Sequence, residues 1–183
     1  MDLFRLSEVL MAMDDRSWAR HASDWSVYSR IAGGVGIFAA LASGHAIGWW
    51  AVIPCLLALA WTWLNPRLFP PPSRADGWAQ RGVLGERVFL NRDRVPIPPE
   101  FVRVAWISTG ICALFVGVAI WGLVAGEIVT GAISWLAAML AKIWFVDRCA
   151  MLWDLMKGHH PVYAAWERAD WSAGFNRFED PVG

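Results

Sequence analysis

The sequence predicts an all-α, polytopic membrane protein: four transmembrane helices arranged as two hairpins, with a proline-rich segment between them. Three observations predict it. Four mainly apolar stretches, about 27–43, 46–64, 104–125 and 128–146, approach or reach the roughly 20 residues that a helix needs to cross a ~30 Å hydrocarbon core. The short links inside each pair, Gly44–His45 and Gly126–Glu127, hold no Lys or Arg, so all sixteen basic residues can lie on one side of a membrane. Short flanks rich in Lys and Arg stay cytoplasmic, which places both termini there. Finally, 57% of the residues are hydrophobic and only 17% are charged. A soluble bundle is the competing reading, but four such helices leave too little polar chain to cover them.

Residues 1–26 form the first, cytoplasmic segment. They carry Asp2 and Glu8 and lack a long apolar core followed by a small-residue cleavage site, so they do not read as a secretory leader. Asp2 is a candidate N-cap, and Leu3, Leu6, Leu10 and Met13 recur at helical spacing. An amphipathic helix is expected here, lying in the headgroup layer or against the protein's own cytoplasmic segments.

The first hairpin covers 27–64. Ala32, Gly36, Ala40 and Gly44 repeat every fourth position, a spacing that lets helices approach closely in lipid. Pro54 falls inside the second apolar stretch and predicts a kink. Seven of the ten prolines then gather in 65–103, ending the second helix and preceding the third. Within that segment 78–90 reads as a short helix or a hairpin strand, with Gly82 and Gly85 weakening either assignment.

The second hairpin covers 104–146 and has its own small-residue pair, Ala113 and Gly117. Shifting the chain by 81 positions aligns residues 25–67 with 106–148, and ten pairs match, among them Trp25/Trp106, Gly36/Gly117 and Arg67/Arg148. That is compatible with a parallel repeat about an axis along the membrane normal. Residues 147–183 complete the chain on the cytoplasmic side. Cys55, Cys112 and Cys149 have no paired spacing and read as small packing residues.

The membrane core is nearly free of ionisable groups, which argues against an ion channel, a pump or a proton-coupled transporter. The polar residues that stand out gather at the cytoplasmic boundary: His21, Asp24, Trp25, Ser26 and Arg30 before and within the first span, and Asn65 and Arg67 after the second. Glu86 lies in the central segment, and Lys142, Trp144, Asp147 and Arg148 stand where the last span ends. Asp147 and Asp154 are seven apart, hence on one helical face. Helix anchoring accounts for the set, with Trp at the interface and basic side chains reaching the headgroups. The sharper alternative is a shared pocket, with His21 as acid or base and Arg67 and Arg148 gripping an anion beside Asp147.

These stretches resemble the boundary motifs of a small, functionally uncharacterised family of bacterial and archaeal integral membrane proteins. Its pattern is His-Ala-Asn-Pro-Trp-Ser before the first span, Asn-Pro-Arg-x-Phe-Pro after the second, and Asp-Arg at the end of the last. Here the stretches read His21-Ala22-Ser23-Asp24-Trp25-Ser26, Asn65-Pro66-Arg67-Leu68-Phe69-Pro70 and Asp147-Arg148, with Ser23 and Asp24 in place of Asn-Pro. The resemblance covers about residues 18–157. It implies the topology and the boundary clusters and brings no activity with it.

The expected function is that of a non-catalytic integral membrane protein of the cytoplasmic membrane, a structural or accessory subunit of a membrane assembly. Its expected partners are lipids, further copies of the chain or other membrane subunits; no nucleic acid, cofactor or metal is expected. The alternative is an enzyme or binding protein for a lipid or anionic metabolite, with its pocket at the cytoplasmic interface.

Overall fold

The computed structural model describes residues 3–174, apart from the side chains of residues 3, 5, 7 and 173. Asp2, the expected first cap, and the tail 175–183 lie outside the described residues. Every regular element within them is helical: α1 (Leu3–Leu10), α2 (Asp15–His21), α3 (Asp24–Ala42), α4 (Gly44–Ile47), α5 (Val52–Leu68), α6 (Trp78–Leu90), α7 (Pro99–Val124), α8 (Ile128–Met156) and α9 (Pro161–Glu167), with 3₁₀ turns at Gly48–Ala51 and Trp171–Ala173.

Three helical stretches are long and apolar enough to cross a membrane: 24–68, 99–124 and 128–156. The first contains α3, the turn at 43–51 and α5. Its two ends lie side by side, because Ser26 at the start of α3 bonds Asn65 near the end of α5. Between α7 and α8 the reversal is tight. Gly126 takes a positive φ of 79°, and a Cβ on Gly122 would lie 2.7 Å from the Gly131 backbone nitrogen.

The buried core is concentrated away from the apolar middles of these helices. It lies in the layer beside their ends, where α2, α6, α9 and the last turns of α8 pack together around Trp18, Leu84, Phe89, Trp153 and Trp166. By contrast, large apolar side chains on the long helices face outward, Leu57, Val124, Val129 and Leu140 among them. The segments expected to be cytoplasmic therefore contain the most tightly packed part of the molecule.

The region 65–103, expected as a proline-rich segment, is organised around α6, which runs antiparallel along α8. Arg81 meets Asp154 and Phe89 meets Phe145. The glycines that weakened the helix assignment are its contact points. A Cβ on Gly82 would fall 2.6 Å from Val146 Cγ1, and one on Gly85 only 1.8 Å from the Cys149 carbonyl oxygen. Close approach requires glycine there, and packing outweighs its poor helix propensity.

Four expectations are corrected. Pro54 stands in the first turn of α5, where its missing N–H costs little, and it kinks no mid-span helix. Pro66, expected to end the helix, lies inside α5 and is fully buried. The small-residue faces are not the close contacts within the chain: Ala40 is buried, but Cβ atoms on Gly36 and Gly117 would meet nothing within 4 Å. The close approaches fall at Gly33, against Trp61, and Gly34, against Met139. Lastly, the inward face of α1 carries Phe4 and Glu8 rather than Leu6 and Leu10, which are exposed. Phe4 packs on Phe89 and Trp106, and Glu8 pairs with the buried Arg87 at 2.5 Å.

Candidate functional site

Four of the boundary residues singled out from the sequence, His21, Ser26, Arg30 and Asn65, meet in one buried hydrogen-bond chain. His21 closes α2, Ser26 lies in the first turn of α3, and Asn65 stands near the end of α5. Arg30, one helical turn beyond Ser26, donates from Nη1 to His21 Nε2 at 3.0 Å. His21 Nδ1 lies 2.9 Å from Ser26 Oγ, which donates to Asn65 Oδ1 at 2.8 Å. Asn65 Nδ2 donates in turn to Ser29 Oγ at 2.8 Å, and Ser29 ends the chain on the Trp25 carbonyl. Arg30 only donates, the Trp25 carbonyl only accepts, and each member between them donates one way and accepts the other, so the chain has a single direction.

Burial and charge set the protonation of His21. Removal from water, then the cations of Arg30 and Lys142, hold its imidazole well below the usual histidine range. It is neutral, and both ring nitrogens are engaged.

Pro66 explains the second contact of Arg30. A proline has no N–H to give the carbonyl four residues back, here Thr62. Arg30 Nη2 donates to that carbonyl at 3.4 Å. The Asn-Pro-Arg triplet thus divides its work: Asn65 joins the chain, Pro66 frees a carbonyl for Arg30, and Arg67 holds the link between α1 and α2. The guanidinium of Arg67 lies 4.0 Å from the Trp63 ring centre and donates to the carbonyls of Met11 and Ala12. Ala12 has a φ of 45°, a conformation that needs such support.

The other boundary residues form separate groups. Trp78 on α6 donates from Nε1 to Asp147 at 3.2 Å, and Arg148 pairs with Asp147 at 2.9 Å. Lys142 pairs with Glu86 at 3.5 Å and lies over the Phe145 ring. Asp24 starts α3 and lines an open groove with Pro70, Pro71 and Gln80. Trp25 is 73% exposed, and Trp144 is partly exposed as well. No hydrogen bond or ion pair among the described residues joins His21, Arg67 and the Asp147–Arg148 pair. The four-residue pocket considered above is therefore not assembled: Arg67 grips backbone, and Arg148 grips its neighbour.

A different cavity is present. Between α3, α6 and α8 lies a space of about 360 Å³, with Val27, Ile31, Ile143 and Val146 on its apolar walls and His21, Arg30, Glu86 and Lys142 at its polar end. A smaller space of about 70 Å³ adjoins it, sharing Met11, His21, Arg30 and Glu86, and continues toward Glu8 and Trp18. Gly34 marks where α3 and α8 cross: the Trp135 indole donates to its carbonyl at 2.8 Å, and Met139 covers it.

Sequence reasoning missed Ser29, Thr62, Glu8 and Trp18. The signal for the first two was present. Ser26, Ser29 and Arg30 form one polar strip on an apolar helix, and Thr62 and Asn65 form another on its neighbour. Glu8 and Trp18 needed the fold, which brings α1 to α2 and α6.

A family model described as a family of unknown function (DUF6653) matches residues 5–170. No curated protein and no solved structure matches the chain.

Proposed function

The chain belongs to this family of unknown function, DUF6653, and we propose that it is a non-catalytic integral membrane protein serving as a structural or accessory subunit of a membrane assembly. In this reading α3 and α5 form one membrane hairpin over 27–64, and α7 and α8 form the other over 104–146. The links without basic residues face outward from the cell. The 1–26, 65–103 and 147–183 segments lie on the cytoplasmic side of the inner membrane. Residues Leu6, Val9 and Leu10, exposed on α1, enter the headgroup layer beside the packed cap.

The observation that carries the reading is the closed hydrogen-bond chain from Arg30 to Trp25. The polar groups at the boundary are engaged in joining α2, α3 and α5 rather than held open toward a reacting centre. Outward apolar surface on the long helices supports the membrane setting, because water-exposed patches of that extent are rare on soluble monomers. The outward faces at Gly36 and Gly117 are open to another subunit.

The test is purification from the native host in a mild detergent, with mass spectrometry of everything that co-elutes and a measurement of particle mass. A stoichiometric partner chain, or a homo-oligomer, is the expected result. A stable monomer with no co-purifying chain would sink the proposal.

A further inference from the structure

We infer that the cavity between α3, α6 and α8 binds a single-chain anionic amphiphile drawn from the membrane, its head at Arg30 and Lys142 and its chain along the apolar walls. The inference rests on the membrane setting proposed above and goes beyond the subunit role.

Charge selects the head. Of the three charged residues at the polar end, Glu86 and Lys142 pair with each other at 3.5 Å, which leaves Arg30 as an excess cation. Among the described residues no carboxylate lies within ion-pair distance of Arg30; its bonds go to the neutral His21 ring and the Thr62 carbonyl. Those bonds take two of the five N–H donors of a guanidinium. A buried cation that must share the attraction of Glu86 with Lys142 is only partly compensated, and that is costly. An anionic head supplies the missing charge and accepts the unused donors.

Shape selects the tail. At about 360 Å³ the cavity falls at the low end of the range for small-ligand sites, enough for one aliphatic chain of about a dozen carbons rather than the pair carried by a bilayer phospholipid. Its walls are aliphatic, and Met139 covers Gly34 with a thioether that adapts to an irregular chain. The polar groups stand where the larger and smaller cavities meet, so one end of the site is polar and the rest is not.

The purified chain in a nonionic detergent is titrated by native mass spectrometry with lauroyl-lysophosphatidylglycerol, with lauroyl-lysophosphatidylcholine, and with glycerol phosphate as a head without a tail. The wild type is expected to retain the anionic lipid about tenfold better than the zwitterionic one. Arg30→Gln should lose about tenfold in affinity for it, and Arg30→Lys should keep most of the preference. Ile143→Trp, which fills the tail wall, should weaken both lipids, and glycerol phosphate should not compete. Equal retention of the two lipids, or competition by glycerol phosphate at matched concentration, overturns the inference. Should Arg30→Gln fail to fold, the wild-type lipid preference and Ile143→Trp still decide. The readout uses the isolated chain, so failure here is distinct from failure to find a partner subunit.

Discussion

Arg30 has no lone pair to offer, and that fixes the tautomer of His21: Nε2 accepts, so the proton sits on Nδ1 and points to Ser26. Protonating Nε2 would aim a second N–H at a guanidinium, with Lys142 adding to the repulsion and Glu8 and Glu86 the anions around the adjoining cavities. The unfolded chain takes up that proton near pH 6.5, whereas the folded protein resists it. Stability is therefore whole above about pH 6.5 and falls as the pH drops below it, by up to about 1.4 kcal/mol per unit, until the folded-state pKa is reached. Melting of the detergent-solubilised protein between pH 8 and 5 should show this fall. His21→Gln should flatten it, which separates His21 from His160, whose own burial also holds its pKa down. A second residue-scale prediction concerns Arg30 and Pro66. Pro66→Ala restores an N–H for the Thr62 carbonyl, so Arg30→Leu should cost less in that background than in the wild type. A double-mutant cycle should give a coupling of about 0.5–3 kcal/mol, and additive losses would mean that Arg30 does not serve that carbonyl.

Helix pairs in this protein are set by where a Cβ is tolerated. Along α6 and α8 the backbones approach so closely at Gly85 that any side chain meets the Cys149 carbonyl. Gly85→Ala is expected to cost about 3 kcal/mol or more, since backbone cannot yield as a flexible side chain does. Gly36→Ala and Gly117→Ala meet open space within the chain and should be neutral or add up to about 1 kcal/mol through helix propensity. Unfolding titrations of the three variants check the contrast. If Gly36→Ala or Gly117→Ala instead breaks an oligomer, those faces are subunit contacts. The two carboxylates seven apart on α8 show the same logic in polar form: Asp147 and Asp154 both meet α6, through Trp78 and Arg81.

For the whole molecule, the tight core is concentrated at the ends of the apolar helices rather than along their middles, and residues 166–174 are tied to it. Trp171 donates to the Pro72 carbonyl at 3.0 Å, and Trp166 to the Gly174 carbonyl at 2.9 Å. In the proposed topology this cap lies on one side of the membrane. Single cysteines in a background lacking Cys55, Cys112 and Cys149 test it. Ser43→Cys and Glu127→Cys should react with an impermeant thiol reagent from outside intact cells, and Arg74→Cys and Arg168→Cys only after lysis. Labelling of all four from one side would rule out two hairpins.

The sequence by itself determined the helical class, the apolar stretches and their links without Lys or Arg, because hydropathy and charge are properties of residues taken one at a time. It also marked His21, Ser26, Asn65 and Arg67 as boundary residues, since polar groups beside apolar runs stand out locally. Which of them touch was decided only by the tertiary structure. Arg67, which only the alternative reading set at an anion, holds two carbonyls; Arg30, one boundary cation among many in the sequence, is the end of a buried chain at the edge of a cavity. Pro66 was read as a helix stop because a missing N–H ends a helix in water. Inside the fold, a side chain from another helix supplies the donor, and the helix continues.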